Sequence, residues 1–216
     1  MSTKVNSFIK KLAQTRTGSD LFNPYNELTK PIDDRTAPGV RQQNLRLYLN
    51  AHEKLKSKVM CIYYSPSYDE SKRSGVPLTN ISNFGEVNHF LGIEHPFEKA
   101  TKSRNKPKVS SMASILWNLA ERNNAKLLFW PVVPFYPHKK GGLKKVRNFT
   151  HKELLDYRNL LSDVVTIFEP KTILSIGKDT DEALSFLKVN HYKMPHPRRS
   201  IAKFETALKK ELKKIK

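Results

Sequence analysis

"SKVMCIYYSPSYDESKRSGVPLT", Ser57 to Thr79, sets the fold. Its first part, Val59 to Tyr64, is an unbroken apolar and aromatic run of strand length, and its second is a turn of small and polar residues. Continuous rather than alternating hydrophobicity marks a strand covered on both faces, as in a parallel sheet. Such a strand ends at the edge where open α/β folds place their ligands, so the residues just past Tyr64 are candidates for a pocket wall.

The flanking sequence repeats this logic. Val40, Leu47, Ala51 and Leu55 recur at helical spacing before the strand, and Met112, Ile115, Leu116 and Leu119 do so after it, behind an N-cap offered by Ser110 and Ser111. "KLLFWPVVPFYPHKKGGLKK", Lys126 to Lys145, opens as a second strand and breaks at Pro134, Pro137 and Gly141-Gly142. Thr150 and Glu153 form a capping box for a helix carrying Leu154, Tyr157, Leu161, Val164 and Phe168, with Pro170 just beyond its end. "TILSIG" is a third strand, a helix runs from Asp179 or Thr180 through Leu187, and "HYKMP" is a fourth strand. A last helix, from Ser200 to about Lys214, turns Ile201, Phe204, Leu208 and Leu212 inward. This alternation predicts an α/β fold: three αβα layers, with a small, mostly parallel four-stranded sheet covered by helices on both faces.

Residues 39–216 form that domain, and 1–38 read as a basic arm packed on it. The arm holds a short helix (Val5, Phe8, Ile9, Leu12) and then an irregular stretch broken by Pro24, Pro31 and Pro38. Asn80 to Lys108 has little periodicity and includes the basic run "KATKSRNKPK", which reads as a solvated surface loop or as a backbone-contacting one.

With 216 residues and 38% hydrophobic content, the chain can bury one good core. Its 39 Lys and Arg against 20 Asp and Glu give a net charge of +19, which points to a polyanionic partner. No segment reaches the about 18 consecutive apolar residues of a membrane span, and the N-terminus has no apolar signal core, so a cytoplasmic monomer is expected. Cys61 stands alone in an apolar strand, where it fills space and can build neither a disulfide nor an iron-sulfur site by itself. His89, His95, His151 and His191 show no metal-ligand spacing; no metal or cofactor is expected.

Three loops, after the first, second and fourth strands, carry the informative residues. "FNPYNE" (Phe22 to Glu27), "SPSYDESKRSGVPLT" (Ser65 to Thr79), "VVPFYPHKKGGLKK" (Val132 to Lys145) and "PHPRRSIAKF" (Pro195 to Phe204) stand in an order that resembles the uracil-DNA glycosylase superfamily, from Phe22 to the last helix. The resemblance implies a glycosylase that flips a pyrimidine out of double-stranded DNA and hydrolyses its N-glycosidic bond. In the bacterial relatives it most resembles, the first loop reads Gly-Glu-Ala-Pro-Gly, the Glu activating water; here Tyr63, Tyr64, Ser65, Pro66 and Ser67 match it, and the acid is absent. The family's Gly-Ile-Pro-Phe-Thr matches Gly75, Val76, Pro77, Leu78 and Thr79, so the stacking ring is replaced by an aliphatic side chain. The family's uracil-reading Asn matches Pro131, and its His-Pro-Ser matches His196, Pro197 and Arg198.

The retained His196 is expected to stabilise charge developing on the leaving base, much of it at O2. Tyr64, Ser65, Ser67, Leu78 and Pro131 are expected to line the base pocket, with Asp69 or Glu70 supplying a carboxylate to the water. Lys139, Lys140, Lys144, Lys145 and Arg147 around Gly141-Gly142 read as a phosphate-contacting loop, in which His138 is either a further phosphate contact or an exposed loop histidine. Arg198 and Arg199 occupy the place where the family inserts a wedge into the vacated stack, or else bind phosphate. A pocket that keeps its leaving-group donor but rewrites its edge readers points to another base: a hydroxymethylated or glucosylated cytosine of phage DNA, which would make the enzyme antiphage. The alternatives are a non-catalytic DNA-binding module derived from a glycosylase, and uracil repair with relocated catalytic residues.

Overall fold

A computed structural model describes residues 2–102, 111–140 and 142–215. The elements run α1 (Thr3–Gln14), β1 (Leu21–Phe22), α2 (Ala37–Lys54), β2 (Val59–Tyr63), α3 (Tyr68–Arg73), a 3-10 turn (Ile81–Asn83), α4 (Phe84–Leu91), α5 (Ser111–Arg122), β3 (Leu127–Pro131), β4 (Tyr136–Pro137), α6 (His151–Phe168), β5 (Thr172–Ile176), α7 (Lys178–Phe186), β6 (Tyr192–Met194) and α8 (Ile201–Lys214). The fold is α/β: β3, β2, β5 and β6 lie side by side in that order in one all-parallel sheet. Every residue of β2 and β3 is buried, which explains why those strands read as continuous apolar runs.

Helices cover both faces. Phe8 of α1 packs on Trp130 with ring centroids 5.7 Å apart, while Trp117 of α5 meets Phe129 at 4.9 Å. Phe129 and Trp130 are consecutive on β3 and point to opposite sides, so α1 and α5 cover opposite faces. The outer edge of β3 is closed by one side chain of α2: the Tyr48 hydroxyl donates to the Phe129 carbonyl at 3.0 Å and accepts from its N–H at 2.9 Å. An edge strand thereby loses a pairing site that another chain could use.

The arm is tied into the domain. Val5, Phe8, Ile9 and Leu12, the four positions read as the inner face of α1, are all buried. Beyond α1, Arg41 of α2 bonds Asp33 at 2.6 Å and the carbonyls of Pro24 and Glu27, with both charged side chains fully buried. Tyr25 donates to the Gly75 carbonyl at 3.0 Å, joining the arm to the turn after α3. Gly75 has φ of 72°, and a Cβ there would lie 2.5 Å from the Arg41 Cβ, so backbone shape and close approach both require glycine.

Four sequence expectations need correction or completion. Of the expected stripe on α2 Ala51 is buried, but most of the inner face is Arg41, Asn44, Leu45, Tyr48, Leu49 and His52, rotated from that stripe because buried polar residues disguised it. Within the stretch read as loop, α4 buries Phe84, Val87 and Leu91 and ends at left-handed Gly92. In α8, Ile201 is exposed, while Phe204, Leu208 and Glu211 face inward. The small antiparallel ribbon of β1 and β4 had no sequence signal beyond its two aromatic residues, Phe22 and Tyr136, which pair in register. The Thr150–Glu153 capping box forms as read. Residues 103–108 of the basic run, the Ser110 cap and Gly141 lie outside the described residues. Cys61 is buried and unpaired, its thiol pKa pushed up by burial. No helix among the described residues is long and apolar enough to cross a membrane.

Candidate functional site

Chain direction opens the sheet at one place. From β2 the connection leads to β3 on one side, and from β5 it leads to β6 on the other, so the carboxyl ends of β2 and β5 flank the switch point where open α/β sheets bind ligands. His196 reaches this point from the loop after β6. Its ring lies against Gly177, at the end of β5, where a Cβ would come within 2.9 Å of the His196 Cδ2.

The hydrogen bonding of His196 fixes its proton. Its Nδ1 accepts from the Arg198 backbone N–H at 3.2 Å, so the neutral ring carries its hydrogen on Nε2 and presents a donor. Burial lowers the imidazole pKa, and the charges of Arg198 and Arg199 lower it further against the opposing pull of Asp179. The ring is therefore held neutral, with a fixed Nε2–H. Both arginines are exposed beside it, in the turn that leads into α8.

Tyr64 continues from β2 into the same edge. Its hydroxyl accepts from the Phe149 N–H at 3.1 Å, and the two rings are 5.4 Å apart. That contact joins the site to the end of the basic loop. Burial raises the Tyr64 pKa, and the negative charge of Asp179 acts in the same direction. Asp179 thus acts on both Tyr64 and His196. It stands exposed in the first turn of α7. Neighbouring lysines on α7 and β6 are taken by other acids: Lys178 pairs with Glu182 at 3.4 Å and Lys193 with Asp181 at 2.6 Å, while His191 Nε2 lies 3.0 Å from the other Asp181 oxygen. In the sequence Asp179 reads only as a helix start; its one further signal is a carboxylate three residues beyond the end of β5.

The two carboxylates expected at the site are placed differently. Asp69 bonds Arg73 at 2.9 Å on α3. Glu70 is buried and acts on Tyr63. The charges that shift His196 are those of Arg198, Arg199 and Asp179. Ser67 caps α3 by accepting from the Glu70 N–H at 3.2 Å, and Ser65 is half-buried between Tyr64 and Pro66.

A narrow apolar cleft lies between the arm, the α3 turn and β3, lined by Tyr25, Tyr63, Pro66, Val76, Trp130 and Pro131 among others, with room for about one water. Pro131 thus stands at a cavity wall, and Tyr63, not Tyr64, supplies the adjacent ring. Leu78 lies in the core beneath: its left-handed backbone, φ 51°, aims a carbonyl that accepts from Trp117 Nε1 at 3.0 Å and Asn83 Nδ2 at 3.4 Å. Trp130 Nε1 is buried without a partner among the described residues.

The basic loop is a narrow hairpin. His138 pairs with Val146, and the Lys139 N–H donates to the Lys145 carbonyl at 2.6 Å, leaving Lys139, Lys140, Lys144 and Lys145 exposed. The guanidinium of Arg147, expected at phosphate, is engaged by the fold: it bonds Glu153 at 2.6 and 2.8 Å, Asp20, and the carbonyls of His138 and Asn148. It sets the base of the hairpin. Compared with protein-family models and with curated proteins, the chain matches none.

Proposed function

We propose that the protein is a monofunctional DNA glycosylase, resembling the uracil-DNA glycosylase superfamily, that hydrolyses the N-glycosidic bond of a flipped pyrimidine. The observation that carries this reading is the neutral His196 with its Nε2–H fixed at the sheet's carboxyl edge, next to two exposed arginines. As the glycosidic bond breaks, the electron pair moves onto the pyrimidine, and a donor preset at O2 stabilises that charge. Lys139, Lys140, Lys144, Lys145, Arg198 and Arg199 hold the phosphates on either side. The substrate we assign is a 5-substituted cytosine of phage DNA, hydroxymethylated or glucosylated, since the expected uracil-reading amide is replaced by Pro131.

A second reading, a non-catalytic DNA-binding module, is favoured by the width of the cleft, whose walls must part before a base can enter. One assay separates the readings. Duplexes carrying uracil, thymine, cytosine, 5-hydroxymethylcytosine or glucosylated hydroxymethylcytosine are incubated with the protein, and abasic sites are cleaved with alkali. Cleavage at the modified cytosines supports the proposal; cleavage at uracil alone assigns repair; binding without cleavage of any duplex assigns the module.

A further inference from the structure

Hydrolysis needs a proton acceptor for the attacking water as well as a donor for the leaving base. Two nearby acids are occupied elsewhere: Asp69 is paired with Arg73, and Glu70 is buried under the turn beside Tyr63. Asp179 differs from both. It is exposed, and the nearby Lys178 and Lys193 are claimed by Glu182 and Asp181. Gly177 places the start of α7 directly under the His196 ring, so Asp179 follows two residues after the point of contact.

From this arrangement we infer that Asp179 is the catalytic carboxylate that takes the proton from the attacking water. The inference rests on the glycosylase reading and adds to it a residue the sequence did not point to. Water attacks C1′ of the flipped nucleotide and gives a proton to the Asp179 carboxylate, while its oxygen forms the new C–O bond. The C1′–N1 bond breaks, and its electron pair leaves with the pyrimidine, whose O2 is held by the His196 Nε2–H. Solvent then protonates the departed base and the Asp179 proton returns to solvent, so one water is consumed and one neutral base is released. Before bond breaking is complete, the same carboxylate faces the positive charge growing on the sugar, which adds an electrostatic contribution.

Asp179 also explains the pairing seen at the site. His196 is kept neutral by two arginines and burial, so it donates without surrendering its proton, and the carboxylate acts on the same ring from the other sign. A donor in the loop after β6 and an acceptor at the start of α7 thereby have separate duties, on either side of one contact, Gly177 to His196.

The test uses the full chain and the duplex of the panel from which the wild type releases base fastest. Asp179→Asn is expected to slow single-turnover release by about 10²-fold or more, with duplex affinity by fluorescence anisotropy within a few-fold of wild type. Asp179→Ala is expected to be equally slow and to regain activity in added sodium formate, a response that a structural role would not give. An Asp179→Asn rate within three-fold of wild type, or a slow Asp179→Ala that formate does not restore, overturns the assignment. Asp179→Glu, which keeps the charge, guards against misfolding: loss of activity in Asn with retention in Glu supports it, and equal loss in both overturns it. A wild type that releases no base from any duplex overturns the glycosylase reading itself, an outcome distinct from an active enzyme indifferent to residue 179.

Discussion

The His196 ring rests on the bare Cα of Gly177, in contact so close that a methyl group there would meet Cδ2 at 2.9 Å. Gly177 also has φ of 88°, a backbone shape that side chains resist. Gly177→Ala is therefore expected to push the imidazole off its place and to destabilise the fold by at least about 1 kcal/mol. Single-turnover base release should fall as far as in His196→Ala, and the double variant should be no slower than either single one. Additive losses would show that Gly177 acts apart from His196.

The buried pair of Arg41 and Asp33 holds the arm. Asp33→Ala leaves a guanidinium in the interior without its charged partner, and removal of one member of such a pair typically costs about 3–5 kcal/mol. The exposed pair of Lys152 and Asp156, bonded at 2.6 Å, should by contrast be worth less than about 1 kcal/mol. Urea denaturation of Asp33→Ala and Asp156→Ala measures both; equal effects would contradict the burial argument.

His52 gives the fold an acid-side weakness. Burial, with a smaller effect of Lys126, pulls its pKa down to about 3, while its Nδ1 lies 2.8 Å from the Ser57 Oγ. Below the ordinary histidine value of about 6.5 the unfolded chain takes up a proton that the folded chain refuses, so stability falls with falling pH. The slope from this one group is about 1.4 kcal/mol per pH unit between roughly pH 6 and 4. His52→Gln should lose stability at pH 7 yet flatten the pH dependence by that slope. An unchanged slope in the denaturation series would place the proton uptake on other groups.

Replacing Lys139, Lys140, Lys144 and Lys145 with Ala should weaken binding to all duplex sequences alike. The slope of log affinity against log salt should shrink by up to about 0.9 per lost phosphate contact. Arg147→Ala should behave differently, lowering thermal stability because Glu153 and Asp20 lose their partner. A salt slope unmoved by the lysine changes would place DNA on another face.

The sheet was legible because β2 and β3 are buried end to end, and α6 because the cap at Thr150 and Glu153 is written in side chains that bond locally. The face of α2 was hidden by its own polar residues: Arg41, Asn44 and His52 are buried only because Asp33, Glu98 and Ser57 come to them from elsewhere in the chain. α4 escaped notice because a short helix with Gly85, Asn88 and His89 offers few periodic positions. At the site, His196 could be picked out by its motif, whereas Asp179 looks like any acid in a first helical turn. Only the contact of Gly177 with His196 brings it to the same edge. Arg147 and Leu78 show the converse: residues next to informative motifs whose side chain or backbone is taken up by the fold itself.

The proposed activity sets free a base, which mass spectrometry of the small-molecule fraction detects. Wild-type protein and His196→Ala are each incubated with duplexes carrying glucosylated hydroxymethylcytosine or uracil. The expected result is free modified cytosine with wild type, little or no uracil, and neither base with His196→Ala, although both proteins bind the duplex within a few-fold of each other. Binding by wild type with no free base from any duplex, or equal release by His196→Ala, would contradict the account.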